Sequence, residues 1–552
     1  METKPHSRAI WFALLLIAGL HVCLPFTKGV LVAGHDTLRY LPRLVEFHEN
    51  LRQGNLIPRW APDLTLGQGQ PLFVFSPPAP YYIAELPHAL GFDFVHALNL
   101  EAMAMILLSA FSMFLLCSLY FGERGGVIGA IAYIYSPYFH VDLFVRGAHS
   151  EFSAMAFYPL ALYGFARHGI EKNPKALALG AAAFAAVILS HNPTALLFAP
   201  VLLGFVVYQS VEQKSWRLLS WQLGAFLVSV ALAAFFWMPA LLEIGNVHAE
   251  RLTVDYFNYK LHFVELHQLV STFWGYGGSV PGPDDQMSLS LGWSHVLVAS
   301  IALVVSFWLS PTVRRIQWFF AAAVAGFCLL MLPVSAFVWQ TVPLLQYTQF
   351  PWRLLAPASV CLGVLISSLG AIGYRDNFRM NGIVFIAALL LLAPNVKHVA
   401  AKSVVSINAG DWTPEAIARR GVETTAMREF ETKWIRHVAA FGPERFRIVS
   451  GDATLIAEET KPTSWVAKAA AKVPSLIEAR LLYFPGWTVF VDDAQVPSHI
   501  APETGRVQFD LPAGDHKVLL AFQRTAPVLI GEAISLVGIA CVAGLWIRKP
   551  GL

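Results

Sequence analysis

Long apolar runs alternate with short polar connectors along most of this chain. A helix that crosses a bilayer needs about 20 mostly apolar residues. On that measure the pattern predicts twelve spans, roughly at 9–30, 97–120, 125–140, 152–167, 175–190, 194–211, 219–242, 291–309, 316–337, 353–373, 381–396 and 526–547. Lys and Arg in short connections orient such spans. Lys4 and Arg8 precede the first span. Arg124, the group Arg167, Lys172 and Lys175, the pairs Lys214/Arg217, Arg314/Arg315 and Arg375/Arg379, and finally Arg548/Lys549 fall in alternate connections. With twelve spans they all share one side, which predicts that both termini are cytoplasmic.

The opposite side then holds the longer polar segments 34–96, 140–151, 190–192, 243–290, 340–353 and 397–525. The last of these has a different pattern, with many charges and few long apolar runs. Stretches 475–491 and 506–522 alternate with period two around Pro-Gly and Ala-Gly turns. The expected fold is a polytopic α-helical membrane protein. A transmembrane region at 1–396, with a first outer loop at 31–96, precedes a small β-rich extracytoplasmic domain at 397–525, helical in part near 412–436. A final helix and tail follow at 526–552. Within the first outer loop, Pro42 can open a helix and Gly54 can close it. Leu44, Val45, His48 and Leu51 share one face, with Arg43, Glu46, Glu49, Asn50 and Arg52 mostly on others. This predicts an amphipathic helix lying along the lipid surface.

Composition agrees with a membrane protein. The 552 residues are 56% hydrophobic and 14% charged, with a mean hydropathy of +0.54, against about 25% charged in soluble proteins. A net charge of +3 without a basic run excludes a nucleic-acid partner. The five cysteines all lie in apolar segments and form no disulfide or zinc framework. The first span lacks a small-residue cleavage site and is expected to stay attached. HExxH, CxxC, P-loop and GxGxxG signatures are absent, and His262 and His267, five apart, make a poor helical metal pair. Gly292–His295 (GWSH) lacks the flanks of a hydrolase elbow.

The candidate chemistry gathers at the outer ends of the spans. Segment 34–82 is far longer than joining two spans requires, and it begins with His35, Asp36 and Arg39 at a membrane boundary. Asp36 can serve as a general base toward an acceptor hydroxyl, or as a local cap or partner of Arg39. Arg59 and Trp60 in the same loop are expected to contact substrate. Asp142, Arg146 and Glu151 can bind a sugar, metal or phosphate, or Arg146 can simply neutralise its neighbours. Arg353, in the run containing Gln349, can hold the phosphate of a lipid-linked donor or act as an interface anchor. His191 can bond a sugar hydroxyl, whereas Asn192 can cap the helix after it.

Several short motifs together resemble a known group. They are GHD at 34–36, PRW at 58–60, GxGxP at 67–71, PxPYY at 78–82, VDLFVRGAxxE at 141–151, SHNPTA at 190–195, LLQYTQFPWR at 344–353, and the tail motifs YFPGWTVFVDD at 483–493 and FDLPAGDHKV at 509–518. The chain resembles the bacterial YfhO-like membrane proteins, and more closely the branch labelled 6-pyruvoyl-tetrahydropterin synthase-related. The pterin label carries no chemistry here, because the chain has no HxH zinc pair. The resemblance implies the GT-C glycosyltransferase superfamily, whose members take sugars from polyprenyl-phosphate carriers and usually invert the anomeric centre. Asp36 matches the acidic catalytic position of their first outer loop, and Asp142 and Glu151 match a second acidic region more loosely. No adjacent acidic pair stands in the first loop, which favours a base without metal or other cofactor. The implied reaction moves a sugar from a polyprenyl-phosphate donor to a cell-envelope glycan or lipid acceptor, at the outer face of a bacterial cytoplasmic (inner) membrane. Arg353, and after it Arg146, would hold the donor phosphate. The rival readings are a lipid or polysaccharide transporter and a non-catalytic envelope assembly protein. A transporter needs polar groups near mid-membrane in several spans, and these spans read as nearly charge-free.

Overall fold

The computed structural model describes residues 5–372, 377–438 and 440–548. Of the cations that orient the spans, Lys4, Arg375 and Lys549 lie outside the described residues. Each of the twelve apolar stretches carries helix. Among the described residues, six continuous helical stretches are long and apolar enough to cross a bilayer: Ile10–Lys28, Phe94–Ile134, Asn192–Glu212, Pro311–Met331, Pro351–Ala371 and Ala526–Ile547. Trp216–Leu232 and Ala234–Leu242, bent by 66°, make a seventh if taken as one broken span. The apolar helices Pro174–Ser190, Trp293–Trp308 and Met380–Leu392 are shorter. Twelve full crossings are therefore not reproduced by helix length and composition. The physical reason is plainest at 125–140, where regular helix stops at Ile134 and Pro137 opens a new turn.

Phe94–Ile134 is two helices rather than one. Gly122, at φ 72° and ψ 177°, breaks it. A Cβ on Gly126 would overlap Ser118 and Phe114, and one on Gly129 would overlap Cys117. Residues eight apart in a straight helix stand about 12 Å apart, so the chain doubles back at Gly122. The bare glycine edge lets the two arms touch.

On the side of the first outer loop, helix Thr37–Arg52 begins five residues before Pro42, which lies inside it. Its apolar face is not turned to lipid. Tyr40, Leu41, Leu44, Val45 and Phe47 are buried against Ala61, Leu72, Phe73, Tyr81, Leu98 and Ile417. The expected interfacial helix is thus a packed internal element. Amphipathic spacing requires an apolar partner without specifying whether it is lipid or protein.

The C-terminal region is a two-sheet antiparallel β structure. One sheet orders strands Phe446–Ser450, Ser475–Leu482, Arg506–Leu511 and Ser498–Ile500. The other orders Ala453–Lys461, Ser464–Ala471, Gly514–Phe522, Trp487–Val491 and Ala494–Val496. Alternating burial along Ser464–Ala471 and Trp487–Val491 gives the sheets their common core. The segment 412–436 does include a helix, Pro414–Arg420. Strand Ser403–Val405 pairs with Leu31–Ala33 next to the first helix. Trp60 of the first loop stands at 5.5 Å and 5.6 Å, centroid to centroid, from Trp487 and Phe522. Gln68 accepts from Arg506 Nε at 2.8 Å and from the backbone N–H of Leu482 at 2.9 Å. The loop and the β structure therefore form one layer.

Candidate functional site

Beyond the hairpin, Pro137–His140 leads into a π-helical turn, Val141–Arg146, that Gly147 closes at φ +60°. Such widened turns recur at functional sites. This one carries Asp142 and Arg146, and helix His149–Glu171 begins directly after it with Glu151 in its first turn. Arg146 Nη1 donates to Asp142 Oδ1, to Glu151 Oε2 at 2.7 Å and to the Tyr138 hydroxyl at 3.2 Å. Tyr138 in turn donates to Glu151 Oε1 at 2.6 Å. Asp142 is 0% and Glu151 1% exposed.

Arg353 arrives from two hundred residues away, on the turn Pro351–Leu354 that opens helix Leu355–Ser367. Its Nε donates to the same Glu151 Oε2 at 3.1 Å, and its Nη1 donates to Thr348 O at 2.7 Å and Gln349 Oε1 at 2.9 Å. Both guanidinium groups lie against the Trp352 ring, at 4.8 Å for Arg146 and 6.0 Å for Arg353. Gln349 stands at φ +67°, a left-handed conformation that costs a non-glycine residue about 1–2 kcal/mol. Its hydrogen bond to Arg353 uses that strained turn to fix the guanidinium. Among the described residues, Nη2 of Arg353 has no hydrogen-bond partner.

Asp36 is delivered to the edge of this cluster by the backbone. The amide of Asp36 donates to Arg146 O at 2.8 Å, and that of His35 to Val145 O at 3.1 Å. This crossing is tight: a Cβ on Gly34 would overlap the Gly147 backbone. The Asp36 side chain keeps 40% of its surface and pairs with Arg39 Nη1 at 3.1 Å. It is close enough for its charge to act on Asp142 and Arg146. Exposed His35 points Nε2 at Tyr276 O, 3.2 Å away. His191 lies within electrostatic range of Glu151, Arg146 and Arg353, and its Nδ1 is 3.1 Å from Thr194 Oγ1. His191 itself is the N-cap residue of Asn192–Glu212, and no side chain makes the capping bond. The cap expected from Asn192 is not formed, and its Oδ1 is buried without a partner among the described residues.

The structure thus brings Asp36, Arg39, Asp142, Arg146, Glu151, His191, Gln349 and Arg353 into one region. Arg59 and Trp60 go elsewhere. Arg59 donates to Glu532 Oε1 of the last helix at 3.0 Å, and Trp60 is fully buried against the β structure. Their contacts brace the loop, because a buried indole offers a ligand no surface.

Sequence reasoning missed Tyr138 and Trp352, and it missed a second buried network. Glu101, inside the 97–120 stretch, accepts from Ser153 Oγ at 2.5 Å and lies 2.7 Å from His149 Nδ1. Tyr40 hydrogen-bonds Ser150 beside it. The spans are therefore not charge-free, and a lone acid within an apolar run was the available signal. Glu101 is the eighth residue of its helix, so it sits about 10 Å from the helix N-terminus, the end joined to the first loop.

The family model of dolichyl-phosphate-mannose-protein mannosyltransferases matches residues 76–238, under a third of the chain. That segment contains Asp142, Arg146, Glu151 and His191, and excludes Asp36 and Arg353. A protein of Lactococcus lactis subsp. cremoris, itself uncharacterised, is 23% identical over 246 residues, 43% of this chain and 40% of the relative. Among solved structures, the arabinofuranosyltransferase AftD from Mycobacteria aligns over 75% of this chain and 28% of its own, at 16% identity and a TM-score of 0.47. ArnT from Cupriavidus metallidurans, bound to undecaprenyl phosphate, aligns over 69% of this chain and 63% of its own, at 14% identity and a TM-score of 0.34. This chain thus spans well under half the length of the first-named relatives.

Proposed function

We propose that this protein is a multi-pass membrane glycosyltransferase of GT-C type that uses a polyprenyl-phosphate sugar donor, with Asp36 as general base. The observation that carries the reading is a half-exposed carboxylate, Asp36, held at the edge of the cluster in which Glu151 pairs with two buried guanidinium groups, Arg146 and Arg353. The mannosyltransferase family match over the segment that supplies Arg146 and Glu151 supports the same reaction class.

The donor's tail lies among the spans and its phosphate meets the open edge of Arg353, with Arg146 behind it. Glu151 and Asp142 hold these cations in place and offset their charge until the phosphate arrives. As the acceptor oxygen attacks the anomeric carbon, Asp36 takes its proton. The carbon–oxygen bond to phosphate breaks in line, and the leaving lipid phosphate is stabilised by the guanidinium groups. The glycosyl phosphate is the activated bond, so no nucleotide enters the step. His35, His191 and Gln349 line the approach and orient the sugar. The acceptor is a cell-envelope glycan or lipid, presented from the β structure's side. Ionisable groups in this region, Glu101 included, gather at the end of the helices nearest the outer loop, as surface chemistry requires and passage across the bilayer does not.

Turnover of polyprenyl-phosphate sugars by purified protein tests the assignment. Asp36→Asn is expected to lower transfer at least about 1,000-fold while the protein inserts and melts as the wild type does. A fully active Asp36→Asn variant would remove the carboxylate from the reaction.

A further inference from the structure

We propose that His48, Glu85 and His88 form a divalent transition-metal site in the first outer loop, suited to zinc. Helix Thr37–Arg52 supplies His48, and helix Ala79–Ala89 supplies Glu85 and His88. The latter two are three residues apart and share a helix face. One atom from each side chain can be chosen so that all three lie within 4.8 Å of one another. Closing those atoms around a common centre at about 2.0–2.2 Å requires small side-chain adjustments.

Two further observations point to a cation. Glu85 Oε2 is buried and has no hydrogen-bond partner among the described residues, while its Oε1 is 2.7 Å from His48 Nδ1. A buried carboxylate oxygen without a donor is costly, and a metal ion would satisfy it. His88 Nδ1 stands 2.7 Å from the carbonyl oxygen of Phe92. A carbonyl only accepts, so the proton sits on Nδ1 and the lone pair on Nε2 stays available. Metal-binding imidazoles are commonly fixed in this way by an outer partner. Packing also fixes the rings. His88 stacks on Phe94 at a centroid distance of 4.0 Å, and His48 meets His88 edge-on at 4.4 Å. Two imidazoles and one carboxylate suit Zn²⁺ or Co²⁺, whereas Ca²⁺ and Mg²⁺ prefer all-oxygen sets. The site is not sealed, since the His48 side chain keeps 29% and that of Glu85 13% of its surface, so water can complete the coordination. The ion would clip together the two helices that frame the outer loop, one of which carries Asp36 at its N-terminus.

The test uses full-length protein in detergent, purified without a polyhistidine tag and stripped with chelator. Titration with Co²⁺ is expected to give tetrahedral ligand-field absorption saturating at one equivalent and abolished by Zn²⁺. Glu85→Gln and His88→Gln should each weaken Co²⁺ binding about 100-fold or more. Should either variant fold poorly, Zn²⁺ should still raise the melting temperature of the stripped wild type. No saturable Co²⁺ signal, a signal indifferent to both substitutions, or a wild-type melting temperature unmoved by Zn²⁺ would overturn the site and leave a His48–Glu85 hydrogen bond. None of these readouts depends on sugar transfer, so the metal site and the proposed enzyme activity stand or fall separately.

Discussion

At the scale of single residues, Glu151 sets the charge balance of the cluster. It accepts from Arg146, Arg353 and Tyr138 while 1% exposed. Neutralising it would deprive two buried guanidinium groups of the carboxylate they share, leaving Asp142 beside Arg146 and Asp36 at the cluster's edge. Breaking a buried ion pair from one side costs about 3–5 kcal/mol. The Arg39–Asp36 pair makes the contrast, because both side chains keep over a third of their surface and an exposed pair contributes about 0–1 kcal/mol. Glu151→Gln should therefore melt far below the wild type, while Arg39→Ala should melt almost with it. Thermal unfolding of the two variants side by side in detergent makes the comparison. Equal melting of Glu151→Gln and wild type would mean that the two cations are balanced elsewhere.

At the scale of elements, the site depends on one backbone crossing. Strand Leu31–Ala33 runs into Gly34, which lies against Gly147 at the end of the π turn. A methyl group at position 34 would overlap the Arg146–Gly147 backbone, and backbone cannot rotate away as a side chain does. Gly34→Ala should lift Asp36 off the Arg146 carbonyl. A misplacement of about 1 Å can cost about 100-fold in rate, so transfer should fall by that order with Asp36 itself intact. Gly224→Ala, where a Cβ meets nothing within 4 Å, is the neutral control. If Gly34→Ala retains full activity, the crossing does not position the base. The sequence marks GHD as a motif, yet the need for glycine there is invisible without the partner backbone. The hairpin turn at Gly122 was legible because a Gly- and charge-bearing linker separates two apolar runs. The strands 475–482, 487–491, 506–511 and 514–522 were legible from their alternation and turns. Helix Thr37–Arg52 was legible as an amphipathic pattern and misread in its surroundings. Glu101 was lost because averaging hydropathy over a span hides one acid.

At the scale of the whole molecule, convergence is what sequence order conceals. Arg146 and Glu151 are five apart and could be grouped by eye, but nothing in the spacing announces that Arg353 shares a carboxylate oxygen with Arg146. The union of the first loop with the β structure was equally hidden, since Gln68 and Arg506 meet across more than four hundred residues. That union has a pH signature. Glu46 and Asp63 lie together beneath it, with the Asp63 amide donating to Glu46 Oε2 at 3.1 Å. Burial is the main cause that raises both, and it pushes Asp63 up to about 6 despite the opposing charge of Arg445 from the C-terminal region. Glu46 is raised by burial first and then by the Asp63 charge. A carboxyl whose folded pKa exceeds its unfolded value near ~4 holds its proton longer in the native state. Its contribution is therefore complete below about pH 4 and is lost as pH rises through about 6. A shift of about two units corresponds to about 3 kcal/mol. The melting temperature of the full chain should fall between about pH 4 and about pH 6.5. Asp63→Asn should flatten that fall and raise stability most at the alkaline end. A wild type whose melting is level over this range, or an Asp63→Asn variant with the same slope, would mean that Asp63 is solvated and that the loop and the β structure do not close over it.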